Sequence, residues 1–351
     1  MNIGIPKETK IAEGRVALTP RSCEELIVNG HKLYMQQGAG LLSGFKDSEY
    51  RLVGVSICSS AEELYQSSQL IVKVKEPLEN DLIYLTSQHI LFCFLHLAAN
   101  EKLANDLSRI GLTAIGFESV REHNQLPILK PMSEIAGKLS VQIGTTLLHQ
   151  YQGGVGLLLG GLSVGAIDKG QVLVLGAGSA GKQAALLARK MGAHVFVYDK
   201  SLTALAELRK IDPLIQTINN ENDCLSLLET TNLLVGALHI AGKKSPRFIK
   251  RSHLKLMMDG SVIVDISVDQ GGCIETTRPT SYNEPTFVEE GVIHFCVANM
   301  PGAVPRTATQ ALSGVLPAYI HRLTQEGWGE QDAVMKSAIN VKAGKVLINL
   351  L

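Results

Sequence analysis

The stretch QVLVLGAGSAGKQAALLARKMGAHVFVYDK, residues 171–200, decides the fold. Five mostly apolar residues (171–175) read as a strand and run into Gly176-Ala177-Gly178-Ser179-Ala180-Gly181, a G-x-G-x-x-G sequence. SAGKQAALLARKMG (179–192) then reads as a helix, and HVFVYD (194–199) as the next strand, closed by the acid Asp199. Glycines at this spacing permit a tight turn and close backbone approach, and the helix N-terminus offers N–H groups to a pyrophosphate. An acid 18 residues after the last glycine is placed to accept the ribose hydroxyls, which favours NAD over its 2′-phosphorylated relative. The stretch predicts a dinucleotide site on a βαβ unit.

Working outward, TNLLVGAL (231–238), SVIVDIS (261–267) and VIHFCVAN (292–299) extend the strand series toward the C-terminus. Toward the N-terminus a second series appears. NIGIP (2–6), KLYMQ (32–36), LIVKV (70–74), HILFCFL (89–95) and LTAIGFE (112–118) alternate with helix-like SCEELIVNG (22–30), SAEELYQS (60–67) and NEKLANDLSRIG (100–111). Apolar strands alternating with amphipathic helices predict a parallel sheet covered on both faces. The expected fold class is therefore α/β, with two Rossmann-like doubly wound parallel-sheet domains separated by a cleft. Between the series, KPMSEIAGKLSVQIGTTLLHQYQGG (130–154) predicts a long helix capped by Ser133 and ending near Gly153. TQALSGVLPAYIHRLTQEG (309–327) has helical spacing and is expected to return to the first domain.

Composition excludes several function classes. The 33 Lys and Arg balance 33 Asp and Glu, which removes the broad attraction that sequence-independent nucleic-acid binding needs. Residues that are 45% hydrophobic and only 19% charged are the opposite of a disordered chain, and 351 residues suggest two domains. Cys23, Cys58, Cys93, Cys224, Cys273 and Cys296 contain no C-x-x-C pair, so neither a disulfide framework nor a metal site is expected. MNIGIPKETK lacks the apolar region of a signal peptide, and the weakly polar run 155–167 is too short for a membrane span. A cytoplasmic protein without a membrane partner is the expectation.

Beside a dinucleotide domain, the reacting substrate is expected at the carboxyl-end loops of the first domain's strands. Arg15 follows the first strand, Lys75 ends LIVKVKEP and His96 ends ILFCFLHLAA. Arginine offers a bidentate clamp for a carboxylate, lysine a point charge for an oxygen, and histidine a proton carrier near neutral pH. Asp269 follows SVIVDISV and precedes Gln270-Gly271-Gly272, a loop suited to close approach by a ligand; Asn299 lies in VANMP.

Seven stretches in order, GIPKETKIAEGRVALTP, VKVKEPL, LHLAA, PMSEIAGKLSVQIG, GAGSAGKQAA, VDISVDQGGCIETTRPT and CVANMPGAVPRTAT, closely resemble the bacterial L-alanine dehydrogenases. The resemblance covers residue 2 to about 325 and implies NAD-dependent, reversible oxidative deamination of L-alanine to pyruvate and ammonia. It implies that Arg15, Lys75 and Asn299 bind substrate, and that His96 and Asp269 are the acid/base residues. It places Ser133, Gly176, Gly178, Gly181, Asp199, Leu238, His239, Ile266, Ser267, Val268, Asp269, Arg278, Val297, Ala298, Asn299 and Met300 around NAD. It also implies a homohexamer whose substrate domain, 1–130 with 305–351, is interrupted by an NAD domain, 131–304.

Three features depart from the family pattern. Asp199-Lys200-Ser201-Leu202-Thr203-Ala204 lacks the basic residue often found a few positions after the acid, and His239 replaces a smaller or apolar residue. The chain stops at Leu351, about 20 residues before the usual terminus, within ordinary terminal variability. None removes a chemical group. Two alternatives share the ancestry or the nucleotide site: the NAD-binding subunit of a proton-translocating transhydrogenase, and a catalytically silent NAD-binding protein. Arg15, Lys75 and His96 together with Asp269 favour a small-acid substrate over both.

Overall fold

The computed structural model describes residues 1–162, 169–238 and 245–348. The chain divides into two compact units, one of Met1–Met132 with Gly302 onward, the other Ser133–Pro301. The helix Leu129–Leu147 carries the chain from the first into the second.

Strands of the first unit are β1 (Asn2–Ile5), β2 (Lys32–Gln36), β3 (Ser56–Cys58), β4 (Leu70–Val72), β5 (Ile90–Cys93) and β6 (Thr113–Gly116). Those of the second are β7 (Gln171–Leu175), β8 (His194–Tyr198), β9 (Gln216–Ile218), β10 (Leu233–Gly236), β11 (Val262–Asp265), β12 (Thr286–Glu289) and β13 (Val292–Phe295). The chain then returns to the first unit for β14 (Ile339–Lys342) and β15 (Lys345–Val346). Among the described residues the first sheet runs β15-β14-β6-β5-β4-β1-β2-β3 and the second β12-β13-β11-β10-β7-β8-β9. Six strands of each sheet are parallel and, numbering only these within each unit, follow the same 3-2-1-4-5-6 order. The chain reverses its winding between β1 and β4 and again between β7 and β10. Both places are topological switch points, where crevices open at the carboxyl ends of the strands.

The central strands are apolar and buried on both faces, as a doubly covered parallel sheet requires: β4 reads Leu-Ile-Val and β10 Leu-Leu-Val-Gly with no exposed residue. Leu64, Ile71, Leu91, Leu107 and Val341 belong to the core of the first unit, and Leu173, Leu228, Leu234 and Ile263 to that of the second.

The structure differs from the sequence expectation at several places. Neither sheet is wholly parallel: β12 pairs antiparallel with β13, and β14 pairs antiparallel with both β6 and β15. Both hairpins turn on two residues with positive φ, Glu290-Gly291 and Ala343-Gly344, the backbone twist that matches flanking strands. Ser133 does not cap the long helix but lies inside it, because the helix starts at Leu129 and accommodates Pro131 in its first turn. That helix stops at Leu147, before the expected Gly153. The C-terminal stretch is two helices, Pro305–Ser313 and Leu316–Thr324, separated near Gly314 and restarted with Pro317 in its first turn.

The returning helix Pro305–Ser313 serves the site directly. Val16 N donates to Thr309 Oγ1 at 3.0 Å, Thr19 N to Ser313 Oγ at 2.7 Å, and Ser43 bridges Gly14 O and Thr309. The loop after β1 that carries Arg15 is thereby fixed by buried bonds to a segment almost 300 residues away in sequence.

Candidate active site

In the first unit the switch point between β1 and β4 gathers charge. Arg15 is 2% exposed, and its guanidinium is gripped by Glu13: Nε donates to Oε1 at 2.6 Å and Nη2 donates to Oε2. Nη1 lies 3.3 Å from Met132 Sδ. A forked cation held in plane by one carboxylate is oriented for another planar anion. Lys75 lies just past the end of β4 and is likewise buried.

Beneath these residues sits an ionic cluster that sequence reasoning missed. Lys73 is 1% exposed, with Nζ 3.0 Å from Asp81 Oδ2 and 3.4 Å from Glu8 Oε2, and Tyr65 donates to Asp81 Oδ1. Burial works against the charge on Lys73, but Glu8 and Asp81 outweigh it and hold the ammonium above its ordinary range. Burial pushes the Glu8 carboxyl up, against the pull of Lys73. Glu8 Oε1 also accepts the N–H of Val74 at 2.6 Å, which closes the end of the strand leading to Lys75.

His96 lies past the end of β5, exposed, in the left-handed region with φ +50°. A non-glycine residue there costs about 1–3 kcal/mol and persists only where its surroundings enforce it. Glu118, just after β6, accepts His96 N at 2.6 Å and Leu95 N at 3.2 Å. The imidazole stacks on Phe94 with centroids 5.8 Å apart and planes 5° from parallel.

The second unit builds its site at the β7/β10 switch point. Gly176 has φ +105°, and a Cβ on Gly181 would stand 1.8 Å from Gly176 O, so both are required by the turn itself. A Cβ on Gly178 would meet nothing within 4 Å. The middle glycine therefore borders open space at the N-terminus of helix Ser179–Lys190, the arrangement that lets a pyrophosphate reach the backbone. Asp199 follows β8 directly and accepts Ala177 N and Ser201 N, each at 2.7 Å. Each carboxylate oxygen has two acceptor sites, so these bonds shape the loop and leave capacity for hydroxyl donors. The residues fit a bound dinucleotide.

Around the same edge, β11 ends at Asp265 and a short 3-10 turn, Ile266–Gln270, follows, so Asp269 sits on a turn rather than directly after a strand. Asp269 is exposed, while Ser267 and Val268 are buried; Ser267 Oγ donates to Leu238 O at 2.7 Å. Asp265, which sequence reasoning also missed, organises this turn. Its carboxylate accepts Ser267 N and Cys273 N, each at 2.9 Å, and burial pushes its pKa up to about 6 despite hydrogen bonds from Thr277, Cys273 and Ser267. Arg278 lies over the Phe287 ring, 4.2 Å from its centroid. Val297 is buried and bridges Thr280, Ala298 N donates to Thr280 O, and Asn299 has φ +65°. Met300 O accepts Tyr282 OH. Ser133 lies on the long helix at the start of this unit, and His239 lies outside the described residues.

Every described candidate therefore falls at the carboxyl edge of its sheet or, for Ser133 and Arg278, on segments beyond the strands of that unit. The comparisons with known proteins agree with this architecture. Residues 4–136 match the model for the alanine dehydrogenase/PNT N-terminal domain, and 140–349 that for the alanine dehydrogenase/PNT C-terminal domain. The chain belongs to the alanine dehydrogenase/PNT family. Family members are NAD-dependent oxidoreductases. Alanine dehydrogenase of Halomonas elongata is 40% identical over 352 aligned residues, covering 99% of this chain and 94% of the relative. That of Bacillus subtilis is 39% identical, covering 99% and 92%. A solved L-alanine dehydrogenase superposes with TM-score 0.94 at 40% identity, covering 99% of this chain and 97% of the other. A transhydrogenase from Sinorhizobium meliloti, at 23% identity and TM-score 0.85 over 99% of both chains, shares the fold. No helix among the described residues of this alanine dehydrogenase/PNT-family protein is long and apolar enough to cross a membrane.

Proposed function

We propose that this chain catalyses the NAD-dependent, reversible oxidative deamination of L-alanine to pyruvate and ammonia. The observation that carries the reading is the placement of Arg15, Lys75 and His96 at the carboxyl edge of one switch-point sheet, in a chain whose other sheet carries the glycine loop and Asp199. The cluster suits a small 2-oxo or 2-amino acid: one carboxylate, one polar oxygen or nitrogen, and a proton to move.

NAD, when bound, supplies the acceptor for the hydride leaving the alanine Cα. The loop Gly176–Gly181 and the helix beginning at Ser179 would hold its pyrophosphate, and the Asp199 carboxylate would accept hydrogen bonds from its ribose hydroxyls. Ser133, Leu238, His239, Ile266, Ser267, Val268, Arg278, Val297, Ala298, Asn299 and Met300 complete the cofactor surroundings in this reading.

Arg15, kept in plane by Glu13, clamps the substrate carboxylate, and the Lys75 ammonium and Asn299 address the group at C2. The α-ammonium first gives up a proton, the one released in the overall balance, and loss of hydride from the neutral amine leaves a substrate iminium. Water adds to it as one of the pair His96 and Asp269 removes a proton, and the carbinolamine collapses as a proton is delivered to the departing nitrogen. The balance is L-alanine, NAD⁺ and water giving pyruvate, ammonium, NADH and one proton. A pocket for a single methyl discriminates against one more methylene by only about 1–3 kcal/mol, so 2-aminobutyrate is a poor but measurable substrate.

The test is NADH production from NAD with a panel of 2-amino acids. Turnover greatest with L-alanine is expected. Hydride exchange between dinucleotides without any amino acid would replace this reading with transhydrogenation.

A further inference from the structure

We infer that Glu118 is the positioning residue for His96, acting through the main chain rather than through the imidazole. The inference rests on the proposal that His96 carries protons in the reaction.

Three observations converge on it. His96 has φ +50°, a conformation that L side chains adopt only when held. The Glu118 carboxylate, projecting from the adjacent strand end, takes the His96 N–H at 2.6 Å and the Leu95 N–H at 3.2 Å to each oxygen. These bonds hold the two consecutive N–H groups that lead into the His96 Cα. The residue before it, Phe117, adds a second tether. Its ring meets Phe94 edge-on at 5.1 Å and Phe92 edge-on at 4.5 Å, while Phe94 stacks on the imidazole. The dipeptide Phe117-Glu118 thus fixes His96 from below through rings and from behind through N–H groups. A shift of about 1 Å in a reacting group costs on the order of 10²-fold in rate, so the carboxylate's reach is the property that places the imidazole.

Glu118→Asp keeps the charge but withdraws the carboxylate by one methylene; Glu118→Gln keeps the reach and an acceptor oxygen but removes the charge. Both are assayed beside Glu118→Ala and His96→Ala for L-alanine turnover, NADH affinity by fluorescence, and Tm. Glu118→Ala and Glu118→Asp are expected to lose roughly 10–100-fold in kcat, with NADH affinity within about twofold of the parent protein; Glu118→Gln is expected to recover most of the turnover, because Oε1 alone reaches both N–H groups. If Glu118→Ala fails to fold, the order of the Asp and Gln variants still decides. Glu118→Asp turning over normally, or Glu118→Gln falling as far as Glu118→Asp, overturns the inference while a dead His96→Ala leaves the reading of His96 standing. A His96→Ala variant with parental turnover removes the reading of His96 itself, and this inference with it.

Discussion

The Arg15 guanidinium is bound along one edge by Glu13, with Nε 2.6 Å from Oε1 and Nη2 on Oε2, and both side chains are almost wholly buried. The desolvation penalty of two buried charges can exceed the gain from pairing them, so such a pair is weak evidence for stability and is better explained by what it orients.

Arg15→Lys therefore keeps the charge and loses the fork. Charge-assisted hydrogen bonds contribute about 1.5–3 kcal/mol, so the KM for pyruvate and for L-alanine should rise roughly 10–100-fold. NADH affinity, which belongs to the other unit, should be unaffected. Steady-state kinetics with a parallel NADH titration check this, and an unchanged pyruvate KM would remove Arg15 from the substrate clamp.

The last and the middle glycine of the loop separate folding from cofactor binding. Gly181→Ala drives a methyl into Gly176 O, a backbone atom that cannot turn away, so Tm should fall and little active protein remain. Gly178→Ala meets open space, so Tm should hold while the NAD KM rises. Thermal unfolding and cofactor kinetics on the two variants form one experiment; equal effects on Tm would contradict the open cradle.

Asp199 should repel a 2′-phosphate. NAD is expected to be strongly preferred to NADP in kcat/KM, and Asp199→Ala to narrow the ratio chiefly by raising the NAD KM. Equal kcat/KM for the two cofactors in the parent protein would withdraw the role given to Asp199.

Buried Asp265 makes a pH-dependent contribution with a definite sign. Its pKa rises from 3.8 to about 6 in the folded chain, so between those values the folded state binds more protons than the unfolded one. Its share of stability is complete below 3.8 and is lost as pH rises through about 6. Relative to Asp265→Asn, the parent protein should lose Tm across that window as pH increases. A difference in Tm independent of pH would show that the group does not titrate there.

Much of the fold was legible because buried parallel strands announce themselves as unbroken apolar runs: KLYMQ and QVLVL begin and end where β2 and β7 do. The edge hairpins were not, since Glu290-Gly291 and Ala343-Gly344 are weaker turn signals than Asn-Gly, and β12 alternates exposed with half-buried residues. The candidate site was half legible. Arg15, Lys75, His96 and Asp269 are conspicuous because a charge beside an apolar strand is costly. Glu8, Glu13, Glu118 and Asp265 were missed because a carboxylate that accepts backbone N–H groups has no local pattern. Glu8 reaches Val74 across 66 residues and Glu118 reaches His96 across 22. For these two, the strand order, which sets β1 beside β4 and β5 beside β6, brings the partners together. Ser133 misled because Ser after Pro-Met before an apolar run looks like a helix start, whereas Pro131 stands in the first turn, where its missing N–H breaks no i→i−4 bond within the helix.

The most direct test of the central claim follows one atom. L-alanine carrying deuterium at Cα is incubated with NAD and the protein, and the mass of the NADH formed is measured beside the pyruvate produced. The account predicts one deuterium in each NADH and one pyruvate for each NADH. Unlabelled NADH, or no NADH while the protein binds the dinucleotide, would contradict it.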